Sequence, residues 1–197
     1  MSKAKDLAFF FELVKILFLS YNKTDSVRLK VRFRNSTILR PLEVSLSKLD
    51  NVHISNNVFI HAGLILRVLE NCQLHVGEDT YIGPHAHISG TSGDIIIGKK
   101  VMIADNVLIS TAAHKYEDVT KPVKEQGYEL KGDITIEDGC WIGEGSVITA
   151  GVRVGKNSVI GANSVVTHDI PPFSVAAGCP ARIIRQYSAA EKKWLDQ

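Results

Sequence analysis

Seven histidines are the side chains in this sequence best suited to acid–base or metal chemistry. They are His53, His61, His75, His85, His87, His114 and His168. A neutral imidazole can take a proton near neutral pH, and it can also bind zinc. His114 stands just before a stretch, Lys115 to Gly132, that lacks the regular spacing found on both sides of it. A single histidine beside a loop is most often a surface or capping residue, so this position alone leaves its role open.

A six-residue repeat indicates the elements that must position these side chains. From residue 136 an aliphatic residue recurs at every sixth place: Ile136, Ile142, Ile148, Val154, Ile160 and Val166. Four places after each of them comes a small or apolar residue: Cys140, Ser146, Val152, Ser158, Ser164 and Ile170. A six-residue unit is too short for a helical hairpin, whereas three units can form one triangular coil of a parallel β-helix with the aliphatic residues stacked inside.

The corners and interruptions of this repeat are also visible. Residues that tolerate φ > 0 lie three places after each aliphatic residue: Gly139, Gly145, Gly151, Asn157, Asn163 and Asp169. The same spacing begins at Leu46, with Glu70 as a misfit, and it shifts by three residues after Ile88. We expect an outward bulge at residues 90–94 to absorb that shift. The gap after His114 predicts a loop over residues 115–133.

Both ends of the chain differ from the repeat. Residues 1–22 are rich in Phe and Leu and predict a helix. Its apolar run, residues 7–19, is interrupted by Glu12 and Lys15 and is shorter than the roughly 20 residues needed to span a bilayer. This helix either packs against the β-helix or lies at a membrane surface. At the other end, Ser188 followed three places later by Glu191 predicts the N-cap of a short amphipathic helix. The predicted units are an N-terminal segment 1–45, a β-helix domain 46–187 and a C-terminal helix 188–197.

Charge and cysteine content narrow the functional class. The net charge is +2, yet the first 40 residues carry nine Lys or Arg against three acidic residues. Such an asymmetry would attract an anionic lipid or glycan, whereas nucleic acid is disfavoured because no recognised binding module accompanies the basic stretch. The three cysteines do not form a disulfide framework, so a reducing compartment is expected. We therefore expect a cytoplasmic protein with peripheral contact at the inner membrane surface through residues 1–22.

Three motifs follow one another in the second half of the chain. They are Cys140-Trp-Ile-Gly143, Ser164-Val-Val-Thr167, and Asp169-Ile-Pro-Pro172 followed by Ala177-Gly-Cys-Pro-Ala-Arg182. In this order and spacing they resemble the hexapeptide-repeat O-acetyltransferases of the galactoside and maltose type. The resemblance covers about residues 76–187. The repeat alone would be less specific, because it also occurs in nucleotide-sugar acyltransferases and in γ-class carbonic anhydrases.

This resemblance implies a left-handed parallel β-helix that assembles as a homotrimer, with active sites between neighbouring subunits. The reaction it implies is acetyl transfer from acetyl-CoA to a sugar hydroxyl, without a metal. His114 matches the family's general base, which takes the proton of the attacking hydroxyl. The sequence leaves open which group orients the imidazole, with Glu125 and Glu129 in the loop as candidates.

The resemblance also implies a binding site for acetyl-CoA. Trp141 matches a residue of the groove for CoA and acceptor, although an outward Trp would also suit a subunit interface. Arg182 and Arg185 match positions near the CoA phosphates, where a guanidinium fork is well suited. Ala162 and Thr167 match the lining of the pantetheine channel.

The acceptor site departs from the family pattern. Gly83 stands where free-sugar acetyltransferases carry an Asn, and His85 either supplies the missing polar group or serves as a corner residue. Cys179 and His168 also replace a usual Asn and Lys near the expected CoA track. The missing Asn at Gly83, together with the apolar and basic N-terminal segment, favours an acceptor in a cell-surface polysaccharide or its precursor. The alternative is a free mono- or disaccharide.

Two other functions are less favoured. In a γ-class carbonic anhydrase, a zinc-binding histidine would be expected at position 119, which is Val119 here. A trimeric scaffold without chemistry would have no need for His114, Trp141 and Arg185 together.

Overall fold

The computed structural model describes residues 31–33, 36–38, 42–46 and 51–197. They form a three-sided parallel β-helix, in which each coil adds one strand to each of three sheets. Tyr81, Met102 and Trp141, for example, lie side by side on successive coils. The fold predicted from the six-residue repeat is confirmed. The predicted helix over residues 1–22 and most of the basic stretch lie outside the described residues.

The three sheets are named faces A, B and C. The described strands of face A are β1 (Val31–Phe33), β2 (Ser36–Ile38), β5 (Phe59–Ile60), β8 (Tyr81–Ile82), β11 (Met102–Ile103), β14 (Trp141–Ile142), β17 (Val159–Ile160), β19 (Ser174–Gly178), β20 (Ala181–Ser188) and β21 (Lys193–Asp196). Those of face B are β3 (Leu42–Leu46), β6 (Leu64–Val68), β9 (His87–Gly90), β12 (Leu108–Ser110), β15 (Val147–Thr149) and β18 (Val165–Val166). Those of face C are β4 (Val52–Ile54), β7 (Leu74–Val76), β10 (Ile95–Ile97), β13 (Ile134–Ile136) and β16 (Arg153–Val154). The chain runs from face C to A to B, and we name each edge by the two faces it joins.

The aliphatic residues of the repeat fill the inside of the prism. Ile136, Ile142 and Ile148 point inward from faces C, A and B of one coil and are fully buried. The positions four places after them are also buried, and the serines there bond to the backbone of the next coil. Ser146 Oγ, for example, donates to Gly161 O at 2.9 Å. Each buried Ile contributes about 1.5–3 kcal/mol through the apolar surface it removes from water, so the repeat itself supplies the core.

The corners follow the sequence prediction with one exception. Gly139, Gly145 and Gly151 have φ of 71°, 66° and 77°, and Asn157 has φ of 54°. Asp169 does not have a positive φ. Its carboxylate instead accepts a hydrogen bond from Arg153 N at 2.7 Å, so this residue fastens the corner through its side chain.

Two irregular segments interrupt the coils. The inserted residues after β9 do not form the expected outward bulge, because Ser92 is buried and the amides of Thr91 and Ser92 donate to Thr111 Oγ1. The second segment, residues 111–133, leaves at the B–C edge after β12 and returns at β13. It contains one helical turn, α1 (Val123–Gln126). We call this segment, which includes the predicted loop, the excursion.

The predicted C-terminal helix over residues 188–197 is wrong. The chain forms a hairpin instead, in which β20 pairs antiparallel with both β19 and β21. Ser188 Oγ does accept a hydrogen bond from Glu191 N at 3.2 Å, as in a helix cap, but here the bond closes a tight turn. Tyr187 and Trp194 then meet edge to face across the two strands, 5.7 Å between ring centroids.

Candidate active site

His114 is held by the base of the excursion. Its backbone pairs antiparallel with Tyr128, and hydrogen bonds join Lys115 N to Gly127 O and Glu129 N to Ala113 O. The imidazole packs on the ring of Tyr128, with 4.6 Å between centroids and 32° between planes. The excursion thus folds back on itself and presents an exposed His114 on its surface.

The hydrogen bond of His114 defines which nitrogen can act as a base. Nδ1 lies 3.3 Å from Gly127 O. Because a carbonyl oxygen only accepts, Nδ1 carries the proton of the neutral ring and Nε2 keeps its lone pair. The partner that orients the imidazole is therefore a main-chain carbonyl rather than Glu125 or Glu129. The Glu129 carboxylate lies 3.3 Å from Lys131 Nζ.

The far part of the excursion is rigidified by one glutamine. Gln126 Nε2 donates to the carbonyl oxygens of Asp118 and Lys121, both at 2.9 Å, and Gln126 Oε1 accepts from Asp118 N. The Thr120 hydroxyl donates to the Asp118 carboxylate at 2.6 Å and lowers its pKa. This ordered loop nevertheless exposes Val119 and Leu130 almost completely.

Trp141 lies on the outer surface of face A. It belongs to a row of outward side chains in register on successive strands: Phe59, Tyr81, Met102, Trp141, Val159 and Val175. Phe59 and Tyr81 stack with 5.5 Å between ring centroids, while Met102 and Trp141 are about half exposed. The prediction that Trp141 points outward is confirmed, and the row gives face A an apolar outer surface.

Arg182 and Arg185 lie on β20, at the end of this row. Pairing with Ala177 and Val175 places both arginines on the outer side of face A. The Arg185 guanidinium is ion-paired with Asp196, Nε to Oδ1 2.9 Å, whereas among the residues that the structure describes Arg182 bonds only to the carbonyl oxygen of Ala181. Arg182 is therefore the more available of the two cations.

The other predicted site residues lie at the edges. Gly83, His85 and Ala162 are at the A–B edge, and Thr167 is at the B–C edge. Gly83 is buried, and a Cβ there would stand 2.7 Å from the backbone of Ala104, so glycine permits two coils to approach. His85 has φ of 56° and packs its ring over Gly63, which makes it a corner residue.

The predicted site residues therefore form three groups within one chain. His114 and Thr167 share the B–C edge, Gly83, His85 and Ala162 share the A–B edge, and Trp141 and the two arginines lie on face A. The sequence did not identify Tyr128 or the Gly127 carbonyl, because the excursion has no periodic spacing that would relate them to His114.

The cysteines differ in their surroundings. Burial raises the pKa of Cys140 to about 11, and burial also raises the pKa of Cys72. Cys179 is exposed. Over the part of the chain that the structure describes, no three His, Cys, Asp or Glu side chains come together to hold a metal ion. Within the same residues, no helix is long and apolar enough to cross a membrane.

The known proteins that this chain resembles are named as acetyltransferases or acyltransferases. The model for bacterial transferase hexapeptide repeats (six repeats) matches residues 133–168. The chain is 40% identical to the galactoside O-acetyltransferase of Escherichia coli strain K12 over 61% of this chain and 58% of that protein. It is 27% identical to a putative lipopolysaccharide biosynthesis O-acetyl transferase, WbbJ, of the same strain, over 86% of this chain and 89% of that one.

A solved structure and one further relative also resemble this chain over most of its length. AntD, an N-acyltransferase from Bacillus cereus solved with dTDP and coenzyme A, has a TM-score of 0.64 at 21% identity, over 77% of this chain and 80% of that one. It shares the left-handed β-helix fold. The galactoside O-acetyltransferase of Lactococcus lactis subsp. lactis strain IL1403 is 32% identical over 84% of this chain and 78% of that protein. The chain therefore belongs to the galactoside O-acetyltransferase family of hexapeptide-repeat acyltransferases.

Proposed function

We propose that this protein transfers an acetyl group from acetyl-CoA to a sugar hydroxyl, with His114 as the general base. The observation that carries the proposal is the hydrogen bond from His114 Nδ1 to Gly127 O, which leaves Nε2 unprotonated on an exposed ring. Nε2 takes the proton of the hydroxyl as its oxygen attacks the thioester carbonyl, and His114 then returns that proton to the departing thiolate sulfur. The relatives named as O-acetyltransferases support this reaction.

Face A offers a binding surface that fits acetyl-CoA. Arg182 supplies a guanidinium that no carboxylate of the described residues neutralises, and a guanidinium fork binds phosphate through two parallel hydrogen bonds. Trp141, on the same face, supplies an exposed ring for the apolar part of the cofactor. Coenzyme A bound to AntD supports this donor. Ala162 and Thr167 would line the pantetheine channel.

The protein acts as a homotrimer in this proposal. His114 lies on one edge of the prism, whereas Trp141 and Arg182 lie on face A, so one chain alone does not surround the reacting groups. A three-fold axis parallel to the prism would bring the excursion of one copy against the neighbouring copy. Exposed apolar side chains of face A and of the excursion, such as Met102, Trp141 and Leu130, support this assembly, because contact between copies would bury them.

The acceptor in this proposal belongs to a cell-surface polysaccharide or its precursor, and modification takes place on the cytoplasmic side of the membrane. The similarity to WbbJ supports a glycan acceptor. Residues 1–22, apolar and followed by a basic stretch, would hold the enzyme at an anionic surface. The intact protein should sediment with vesicles containing anionic lipid, and deletion of residues 1–22 should abolish this. An intact protein that ignores such vesicles and acetylates free maltose efficiently would favour a free sugar as the acceptor.

Replacement of His114 tests the reaction itself. The substitution His114→Asn keeps a polar side chain but removes the base, and we expect kcat to fall by about 10²- to 10⁴-fold. Release of free thiol from acetyl-CoA in an acceptor screen measures the rate. The molar mass in light scattering and the affinity for CoA should be unchanged, because His114 is exposed and contributes nothing to the core. A His114→Asn protein with near native turnover would show that another group is the base.

A further inference from the structure

A row of polar side chains lies on the outward side of face B, beside the B–C edge, and within it Ser89 is buried while the other members are at least partly exposed. Arg67 pairs with Ser89, Ser89 with Ser110, and Ser110 with Thr149, on the successive strands β6, β9, β12 and β15. Residues in register on parallel strands share one side of the sheet. We call these four residues the polar row.

The polar row adjoins the excursion that carries His114. Ser110 is the last residue of β12, and its Oγ accepts a hydrogen bond from Ala112 N, which leaves the hydroxyl proton available to donate. Next to it, Thr91 is fastened to the first residue of the excursion, since its amide donates to Thr111 Oγ1 at 3.0 Å. Thr91 Oγ1 is buried and has no hydrogen-bonding partner among the described residues. Of these two hydroxyl groups, that of Ser110, a partly exposed residue, is the one that a bound sugar could reach.

Arg67 is the charged member of the polar row. Its side chain is exposed, and it forms no hydrogen bond or ion pair with any residue that the structure describes. By contrast, Arg153 pairs with Glu137 and Arg185 with Asp196. Two strand spacings separate Arg67 from Ser110, a distance of roughly 10 Å along the prism. This separation is comparable to the length of a sugar ring with its substituents.

We propose that Arg67 selects acceptor sugars that carry an anionic group, either a phosphate or a carboxylate. This inference rests on the proposed acetyltransferase function and adds the chemical class of its acceptor. An anionic substituent at the Arg67 end of the ring would receive two parallel hydrogen bonds from the guanidinium, which a neutral sugar cannot use. The hydroxyl group of Ser110 would orient the ring between Arg67 and His114.

Matched acceptor pairs test this selection and distinguish the two anions. The first pair is N-acetylglucosamine and UDP-N-acetylglucosamine, and the second is galactose and galacturonic acid. For each pair the ratio of kcat/KM, anionic over neutral, is measured for the native protein and for the variants Arg67→Ala and Arg67→Lys. In at least one pair we expect Arg67→Ala to lower the ratio by about 10- to 100-fold, the range for losing a hydrogen bond to a charged group. Arg67→Lys should retain part of the ratio.

A control variant and a binding measurement distinguish a failure of this inference from a failure of the proposed acetyl transfer. Lys99→Ala removes an exposed cation at the C–A edge and should change neither ratio. Calorimetric titration with the two anionic probes in the presence of CoA does not depend on turnover. If no acceptor is acetylated, the proposed reaction is refuted. In that case, weaker binding of an anionic probe to Arg67→Ala than to the native protein would still support the anion site. If the native protein binds neither anionic probe, if Arg67→Ala leaves both ratios unchanged, or if it raises KM for acetyl-CoA instead, the inference is overturned.

Discussion

Tyr128 should affect kcat by positioning the imidazole of His114, without itself taking part in the reaction. Its ring lies 4.6 Å from the imidazole, and an aromatic contact of this kind contributes about 0.5–1.5 kcal/mol. The Gly127 carbonyl and the backbone pairing stay in place when Tyr128 becomes Ala, so only the ring contact is lost. Since about 1.36 kcal/mol corresponds to a factor of ten in rate, kcat should fall by about 2- to 13-fold. That is well short of the loss expected for His114→Asn.

The assay is steady-state release of free thiol from acetyl-CoA with a saturating acceptor. Tyr128→Ala should lower kcat and leave KM for acetyl-CoA unchanged, because the ring positions the base rather than the cofactor. Tyr128→Phe keeps the ring and should stay within about twofold of native. The matched control is Tyr116→Ala, which removes an exposed ring of the same excursion that lies 5.9 Å from Lys131 Nζ. A native rate for Tyr128→Ala, or an equal loss for Tyr128→Phe, would refute the positioning role.

Two further predictions concern the cofactor and the pH dependence of stability. Arg182→Ala should raise KM for acetyl-CoA by about tenfold or more, and by more than Arg185→Ala, because Asp196 already holds Arg185. KM for a truncated thioester that lacks the nucleotide should be unchanged in Arg182→Ala. An equal rise in KM for both acetyl donors would contradict phosphate binding by Arg182. A hydrogen bond from Arg153 lowers the pKa of Glu137 below 4.5, so Glu137 stabilises the fold above that pH and loses its effect as pH falls through the lowered pKa. Urea unfolding should show Glu137→Gln less stable by about 1–2 kcal/mol at neutral pH, and a difference that does not shrink as the pH is lowered would contradict this origin.

The sequence by itself determined the β-helix and its core. Ile136, Ile142 and Ile148 recur at the period of one face, and each of them is fully buried. The corners at Gly139 and Asn157 were also predictable, because a positive φ is a local backbone requirement that few residue types meet. A repeat of this kind specifies structure locally, since every coil contacts only the coils beside it.

Only the tertiary structure decided what lies outside the repeat. Ser188 and Glu191 meet the local rule for a helix cap, yet β20 already offers unpaired backbone groups along its edge, and pairing with β21 satisfies them. The partner of His114 is the carbonyl of Gly127, thirteen residues away. Every residue carries such a carbonyl, so no side-chain pattern could single this one out. The return path of the excursion brings that oxygen to the imidazole, and that path depends on hydrogen bonds between residues distant in the chain.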